Sequence, residues 1–367
     1  MQRELHTSGF RLLRRLLPGA VLLLAAPTVE AQYFGRNKVQ YENFHFQVLK
    51  TEHFDVLFYP PETEAARHAA RMAERWYARL SSVFDHELSG RQPVILYASA
   101  AEFQQTNAIL GTLGEGTGGV TEALRRRIVL PTGGTLADLD HVLGHELVHA
   151  FQYDITGSGR PNSLGALPAA SQLPLWFIEG MAEYMSIGPV APHTAMWMRG
   201  ALADTTKDSL PSYSQLEDPR YFPYRYGHAF LAWIAGRWGD HVMGQLLRGA
   251  GRRRDVTAAL QRVLNANPDT LVARWHAETR AQYDPLKSAT APPEAFSTRL
   301  IAAKGDGRYN VAPALSPDGD EMMFLSDRGL FSIDLFLADA RTGKVKRQVT
   351  KTAVDPHFQS LQFIQSA

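Results

Sequence analysis

Apolar and aromatic residues alternate through "YENFHFQVLKTEHFDVLFYP" (41–60), a period of two that predicts two strands, each with one buried face. From about 64 to 88 the period changes: Met72, Trp76, Leu80 and Phe84 recur every fourth residue and share one face of a helix. "PVILYA" (93–98) reads as a buried strand, and "GGVTEALRRRIVLP" (118–131) as another, opened by glycines and closed by proline. Residues 32–134 are therefore expected to form a mixed sheet with one covering helix.

Helical patterning follows. Thr135 with Asp138 three residues on carries the signature of a capping box, and Leu136, Leu139, Val142 or Leu143, Leu147 and Phe151 form the apolar stripe of the helix it starts. A Gly-, Pro- and Ser-rich loop, 154–174, leads to a second helix from Pro174 to about Ile187, stopped by Gly188 and Pro189. Further helices fit 226–239, 241–250, 255–264 and 269–283, so 135–284 reads as a helical unit. A linker by composition, 285–299, comes next. Beyond it, 300–367 holds short strands, a Pro-Asp-Gly turn and a Thr-Gly turn, with no helical pattern.

Composition and charge add four constraints. A chain of 367 residues, 45% apolar, can bury a sizeable core. Its first thirty-one residues stand apart: Arg3, Arg11, Arg14 and Arg15 precede the run "LLPGAVLLLAAP", and "VEA" supplies a cleavage site after Ala31, which reads as a signal peptide. That run is broken by Pro18 and Gly19 and is too short to span a bilayer, and no later stretch reaches spanning length. Export to a bacterial periplasm, cell surface or medium is expected, with no transmembrane segment left after cleavage. Cleavage takes Lys+Arg from 38 to 34 and Asp+Glu from 37 to 35, a net charge of about −1 that gives no electrostatic case for nucleic acid. With no cysteine, neither a thiolate site nor a thiol nucleophile exists, and any metal must rest on His, Asp and Glu.

The first helix of the helical unit carries "HVLGHELVHAF" (141–151). His145 and His149 are spaced i, i+4, so their imidazoles leave one face and can converge on one ion. Glu146 lies about 100° around the helix from His145 and can reach a water at that ion without ligating it. His141 is one turn too far: a span of about 12 Å from His141 to His149 exceeds what one ion can bridge, which assigns it to the core or to support of a ligand. On the second helix, "LPLWFIEGMAEYMS", Glu179 and Glu183 are again i, i+4. Glu179 fits as third ligand, leaving a fourth position for water, and Glu183 as acceptor of the free ring N–H of His145.

"HELVH" followed by "WFIEGMAEY" resembles the gluzincin metallopeptidases, the zincins with a Trp-x-x-Glu-Gly-x-Ala-x-Tyr ligand helix. The resemblance spans roughly 40–285 and implies an α+β peptidase with a sheet-rich and a helical subdomain. It implies one zinc ion on His145, His149 and Glu179, Glu146 as general base, and Glu183 as support. The strand before the metal helix would pair with extended substrate, with Gly119, Val120 and Glu122 as its candidates. Departures separate the chain from the aminopeptidase-type members. The loop between His149 and Glu179 has 29 residues, Ile178 stands where Asn often precedes the ligand Glu, and of Gly-x-Met-Glu-Asn only a Gly and Glu122 match. Endopeptidase action on peptides or proteins is the resulting expectation. For the oxyanion, related sites add a Tyr or His donor from a later helix. Of Tyr224, Tyr226 and His228, Tyr226 is expected to serve, at a helix start anchored by Phe230 and Trp233.

"SPDGDEMMFLSDRGLFSIDLFLADARTGKVKRQVT" resembles one blade of a TolB-like β-propeller, and "DPHFQSLQFIQSA" the beginning of a second. One blade cannot close a propeller, so the resemblance implies the front of a longer protein whose propeller could meet a protein partner. A competing expectation is a catalytically weak peptidase-like fold that, with the propeller, binds peptides or proteins.

Overall fold

The computed structural model describes residues 43–354 apart from 110–112, 114–115, 158–166, 204–209, 302–306, 308, 330–331 and 353. The expected signal peptide and the segment 355–367 lie outside the described residues.

The architecture is mixed α/β, with one mixed and one antiparallel sheet. Strands β1 (Gln47–Lys50), β2 (Phe54–Phe58), β3 (Gln92–Tyr97), β4 (Val120–Thr121) and β5 (Ile128–Pro131) form the first sheet in the order β1-β2-β3-β5-β4. The β2–β3 and β3–β5 pairs are parallel and the two outer pairs antiparallel. Alternation works as the sequence suggests. Phe54, Val56, Val94, Leu96, Ile128 and Leu130 all point into the main core. The opposite face carries a smaller cluster of Tyr59, Tyr97, Phe103 and Val129. Helix α1 (Thr63–Phe84) covers the core face with Trp76, Leu80 and Phe84 buried.

The expected single strand over 118–131 is instead a hairpin. Glu122 N donates to Arg127 O at 2.9 Å to close it, and Arg126 takes the left-handed conformation, with φ 53°, that turns the chain back. Only β5 lies inside the sheet, and β4 is left at its edge.

Helix α2 (Leu136–Thr156) starts at the capping box of Thr135 and Asp138, each side chain bonding the other's backbone N–H. Helix α3 (Leu175–Ile187) ends at Gly188, whose φ of 90° suits glycine. Helix α4 (Pro192–Ala203) is absent from the sequence expectations: "PHTAMWMRGALA" buries only Thr194, Met198 and Leu202 and shows little periodic contrast. Then come α5 (Pro223–Trp238), α6 (Val242–Arg253), α7 (Val256–Leu264) and α8 (Pro268–Tyr283).

Helices α3 and α5 touch backbone to backbone. A Cβ at Gly227 would fall 2.1 Å from Trp176 O, and one at Gly180 2.4 Å from the Gly227 carbonyl carbon, so both positions need glycine. This crossing sets the start of α5 beside the face of α3 that carries Glu179 and Glu183.

The linker region forms short exposed helical turns at Leu286–Ala289 and Pro293–Ala295. Among the described residues, strands β6 (Asn310–Leu315), β7 (Glu321–Ser326), β8 (Asp334–Asp339) and β9 (Val345–Gln348) then make an antiparallel meander that pairs with no strand of the first sheet. Its Pro-Asp-Gly and Thr-Gly turns place Gly319 and Gly343 at positive φ. Phe324, Phe336 and Ala338 form its own buried cluster. Among the described residues no helix is long and apolar enough to cross a membrane.

Candidate metal centre

Helices α2 and α3 bring His145, His149 and Glu179 together. His145 Nε2 lies 3.2 Å and His149 Nε2 3.3 Å from Glu179 Oε2, and the two Nε2 atoms are 3.1 Å apart. In a tetrahedral site with bonds of about 2.0–2.1 Å, neighbouring ligand atoms stand about 3.3–3.4 Å apart. The observed triangle is close to one face of that tetrahedron, so these three residues could hold a metal ion.

Each imidazole is tied at its other nitrogen. His145 Nδ1 lies 3.0 Å from Glu183 Oε1. His149 Nδ1 lies 2.8 Å from Gln152 Oε1. Both contacts leave Nε2 turned toward Glu179, the arrangement that fixes metal-ligating tautomers.

Burial disfavours charge on His145, yet its hydrogen bonds with Glu179 and Glu183 overcome this and push its pKa up to about 10. His149 is raised as well, against its burial, by the Glu179 carboxylate. Burial works against ionisation of Glu179 and Glu183 too, but the imidazoles around them hold both well below the usual carboxylate range. The cluster therefore sets buried carboxylates against imidazoles pushed toward their charged form, an environment that a cation could satisfy instead.

His141, His145 and Glu183 form a second group with ligating atoms close together, His141 Nε2 lying 3.4 Å from Glu183 Oε1. That group suits a cation less well. Arg225, buried on α5, places Nη1 2.7 Å from Glu183 Oε2 and already neutralises the carboxylate. His141 thus faces Glu183 rather than the first triangle.

Glu146 is buried against β4. Thr121 Oγ1 lies 2.7 Å from its Oε2 and 2.8 Å from its main-chain oxygen, and its one hydroxyl hydrogen is shared between these two acceptors. A Cβ at Gly119 would lie 2.9 Å from Glu146 Cγ and 2.8 Å from Val142 Cγ1, so the approach of this strand requires glycine. Val120 pairs with Val129 of β5. The Glu122 carboxylate is turned into the hairpin, accepting from Leu124 N at 2.7 Å and Arg125 N at 3.0 Å.

The chain matches no protein-family model and no curated protein. What the site can do therefore rests on the geometry of its own residues.

Tyr226 is not at the centre. It is 7% exposed and packs on Tyr221 and Trp197, with ring centroids 5.3 and 6.1 Å away. The neighbour two residues back, Tyr224, lies against the cluster instead. Tyr224 stacks on His145 with centroids 5.9 Å apart and planes 14° from parallel. Burial first, then the nearby Glu179 carboxylate to which it hydrogen-bonds, raises the pKa of its hydroxyl. Residues two apart on a helix point about 200° away from each other. Tyr226 shares its face with Phe230 at i+4, and that face is the core; the anchor cited for it buries it. His228 spends both nitrogens structurally, on Thr194 Oγ1 and Gly188 O, each at 2.8 Å.

Gln152, Tyr153 and Arg225 also contact the cluster and are absent from the motif reading. Tyr153 stacks on His149, centroids 6.2 Å apart, and burial, followed by the carboxylates of Glu179 and Glu146, pushes its pKa up to about 12. Its spacing, i+4 from His149, was the available signal.

Proposed function

We propose that this chain is an exported zinc-dependent endopeptidase with a gluzincin-like catalytic region, followed by a TolB-like propeller blade. The observation that carries the reading is the triangle of His145, His149 and Glu179 beside a buried Glu146 held by an edge strand. Two imidazole nitrogens and one carboxylate favour zinc over harder cations. When bound, the ion supplies Lewis acidity, which acidifies water and polarises a carbonyl oxygen.

Glu146 is the general base: it takes the proton of the water that attacks a peptide carbonyl and passes it to the leaving amine. Thr121 orients it for both transfers. The edge at β4, with Gly119 just before it and Val120 at its start, is suited to receive an extended peptide as an added strand. The committed carboxylate of Glu122 supports cleavage of internal bonds, because it is not free to anchor a substrate's terminal ammonium. Export rests on the leader at 1–31, and a protein partner is assigned to the C-terminal sheet.

Metal content and hydrolysis of an unstructured peptide, measured together, test the reading. The chain is expected to bind one zinc per molecule, and Glu179→Ala to lose both metal and activity. Failure of the chain to bind zinc, or hydrolysis that persists under chelation, would overturn it. Tight zinc binding without hydrolysis would favour a peptide-binding module.

Tyr224 is the oxyanion donor in this reading. Tyr224→Phe is expected to lower kcat about 10²–10³-fold, or about 2.7–4 kcal/mol, with little change in zinc affinity. Tyr226→Phe should leave kcat near wild type, and the reverse pattern in steady-state rates would reassign the donor.

A further inference from the structure

Gln152 is fully buried on α2, and both ends of its amide are used. Its Nε2 donates to Ile178 O at 2.9 Å, while its Oε1 lies 2.8 Å from His149 Nδ1. The Ile178 carbonyl can only accept, so the NH2 group must face it. The amide oxygen then faces the imidazole and can also only accept, so the hydrogen of that contact sits on Nδ1. Nε2 is left as the atom turned toward Glu179 and His145. Ile178 directly precedes Glu179, so the same side chain also grips the backbone that carries the third ligand. His145 receives its Nδ1 partner from the charged Glu183, and Gln152 is the neutral counterpart for His149.

We propose that Gln152 is a positioning residue of the metal centre: its amide sets the tautomer of His149 and locks the histidine pair of α2 to Glu179 of α3. The proposal rests on the metal-binding part of the function above, not on peptide hydrolysis. It differs from a packing role in a definite way. Packing asks only for volume at position 152, whereas positioning asks for an acceptor opposite Nδ1 and a donor opposite Ile178 O.

Two substitutions separate these demands. Gln152→Leu keeps much of the volume and loses both contacts. Gln152→Glu keeps an acceptor for Nδ1–H and loses the donor to Ile178 O. Zinc affinity of the purified chain is measured by competition with a chromogenic chelator, alongside thermal unfolding of the metal-free protein. Nitrogen-15 spectra of the zinc-loaded protein report the His149 Nδ1–H. Gln152→Leu is expected to weaken zinc affinity by about 10–100-fold and to lose the protected Nδ1–H signal. Gln152→Glu should keep the signal and lose affinity by less than Gln152→Leu does, because it keeps the acceptor for Nδ1–H but not the lock to Ile178 O. It should also unfold at a lower temperature. Wild-type affinity in Gln152→Leu would overturn the proposal, and so would losses in both variants that simply follow their unfolding temperatures. A wild-type chain that binds no zinc would instead remove the metal centre itself, and the positioning role with it.

Discussion

Glu146→Gln is expected to keep its metal and lose at least about two orders of magnitude in turnover, within the 10²–10⁴-fold range of a general base. The substitution is close to isosteric, which matters at this position. Gly119 lies directly against the side chain, and a shorter residue would leave a void beneath β4. Thr121 Oγ1 can donate to an amide oxygen as it does to the carboxylate, so the side chain keeps its place. The triangle of His145, His149 and Glu179 does not include residue 146, so zinc content should match wild type. What disappears is the capacity to accept a proton. Single-turnover hydrolysis with metal content assayed on the same sample checks both halves. Undiminished turnover would move the base elsewhere, and loss of zinc would make Glu146 a support of the site.

The parts of this site that lie along one helix are legible from spacing alone. His145 with His149, Glu179 with Glu183 and the capping box of Thr135 and Asp138 are all short-range relations that helical geometry fixes. The pairing of Glu183 with His145 follows once two such helices are allowed to meet, and the structure has it at 3.0 Å. Legibility fails where a residue's role depends on which way a third element is turned. Tyr224 and Tyr226 lie in one run of aromatics, and nothing in "YFPYRYGHAF" tells which faces the imidazoles. The decision is made by the Gly180–Gly227 contact, which rotates α5 so that Phe230 is buried and Tyr224 is presented. Gln152 escaped because an amide has no chemistry of its own, and its meaning comes from Ile178 O on another helix. The hairpin at 118–131 was concealed by continuous strand-forming residues on both sides of a turn that Glu122 and Arg126 make without glycine or proline.

Arg225→Met is expected to destabilise the helical region by about 3–5 kcal/mol, the cost of leaving one member of a buried ion pair uncompensated. Arg225 and Glu183 are 2% and 1% exposed at the side chain and meet at 2.7 Å. Methionine fills much of the same space but cannot answer the Glu183 carboxylate, which would keep only its contacts with His141 and His145. All six tryptophans lie between Trp76 and Trp275, so their fluorescence reports unfolding of this region and not of the C-terminal sheet. A fall of roughly 10 °C in the midpoint is expected from the per-residue enthalpy of a region this size. The double variant Glu183→Gln with Arg225→Met removes both charges while Gln still accepts from His145 Nδ1–H. It should therefore be more stable than the sum of the single losses predicts, by a coupling energy of about 1–3 kcal/mol. Zinc affinity separates the pair's two roles: Arg225→Met alone should weaken it, because the carboxylate that aligns His145 loses its own anchor. An Arg225→Met chain that unfolds within about 1 kcal/mol of wild type would mean the charge at Glu183 is answered without α5.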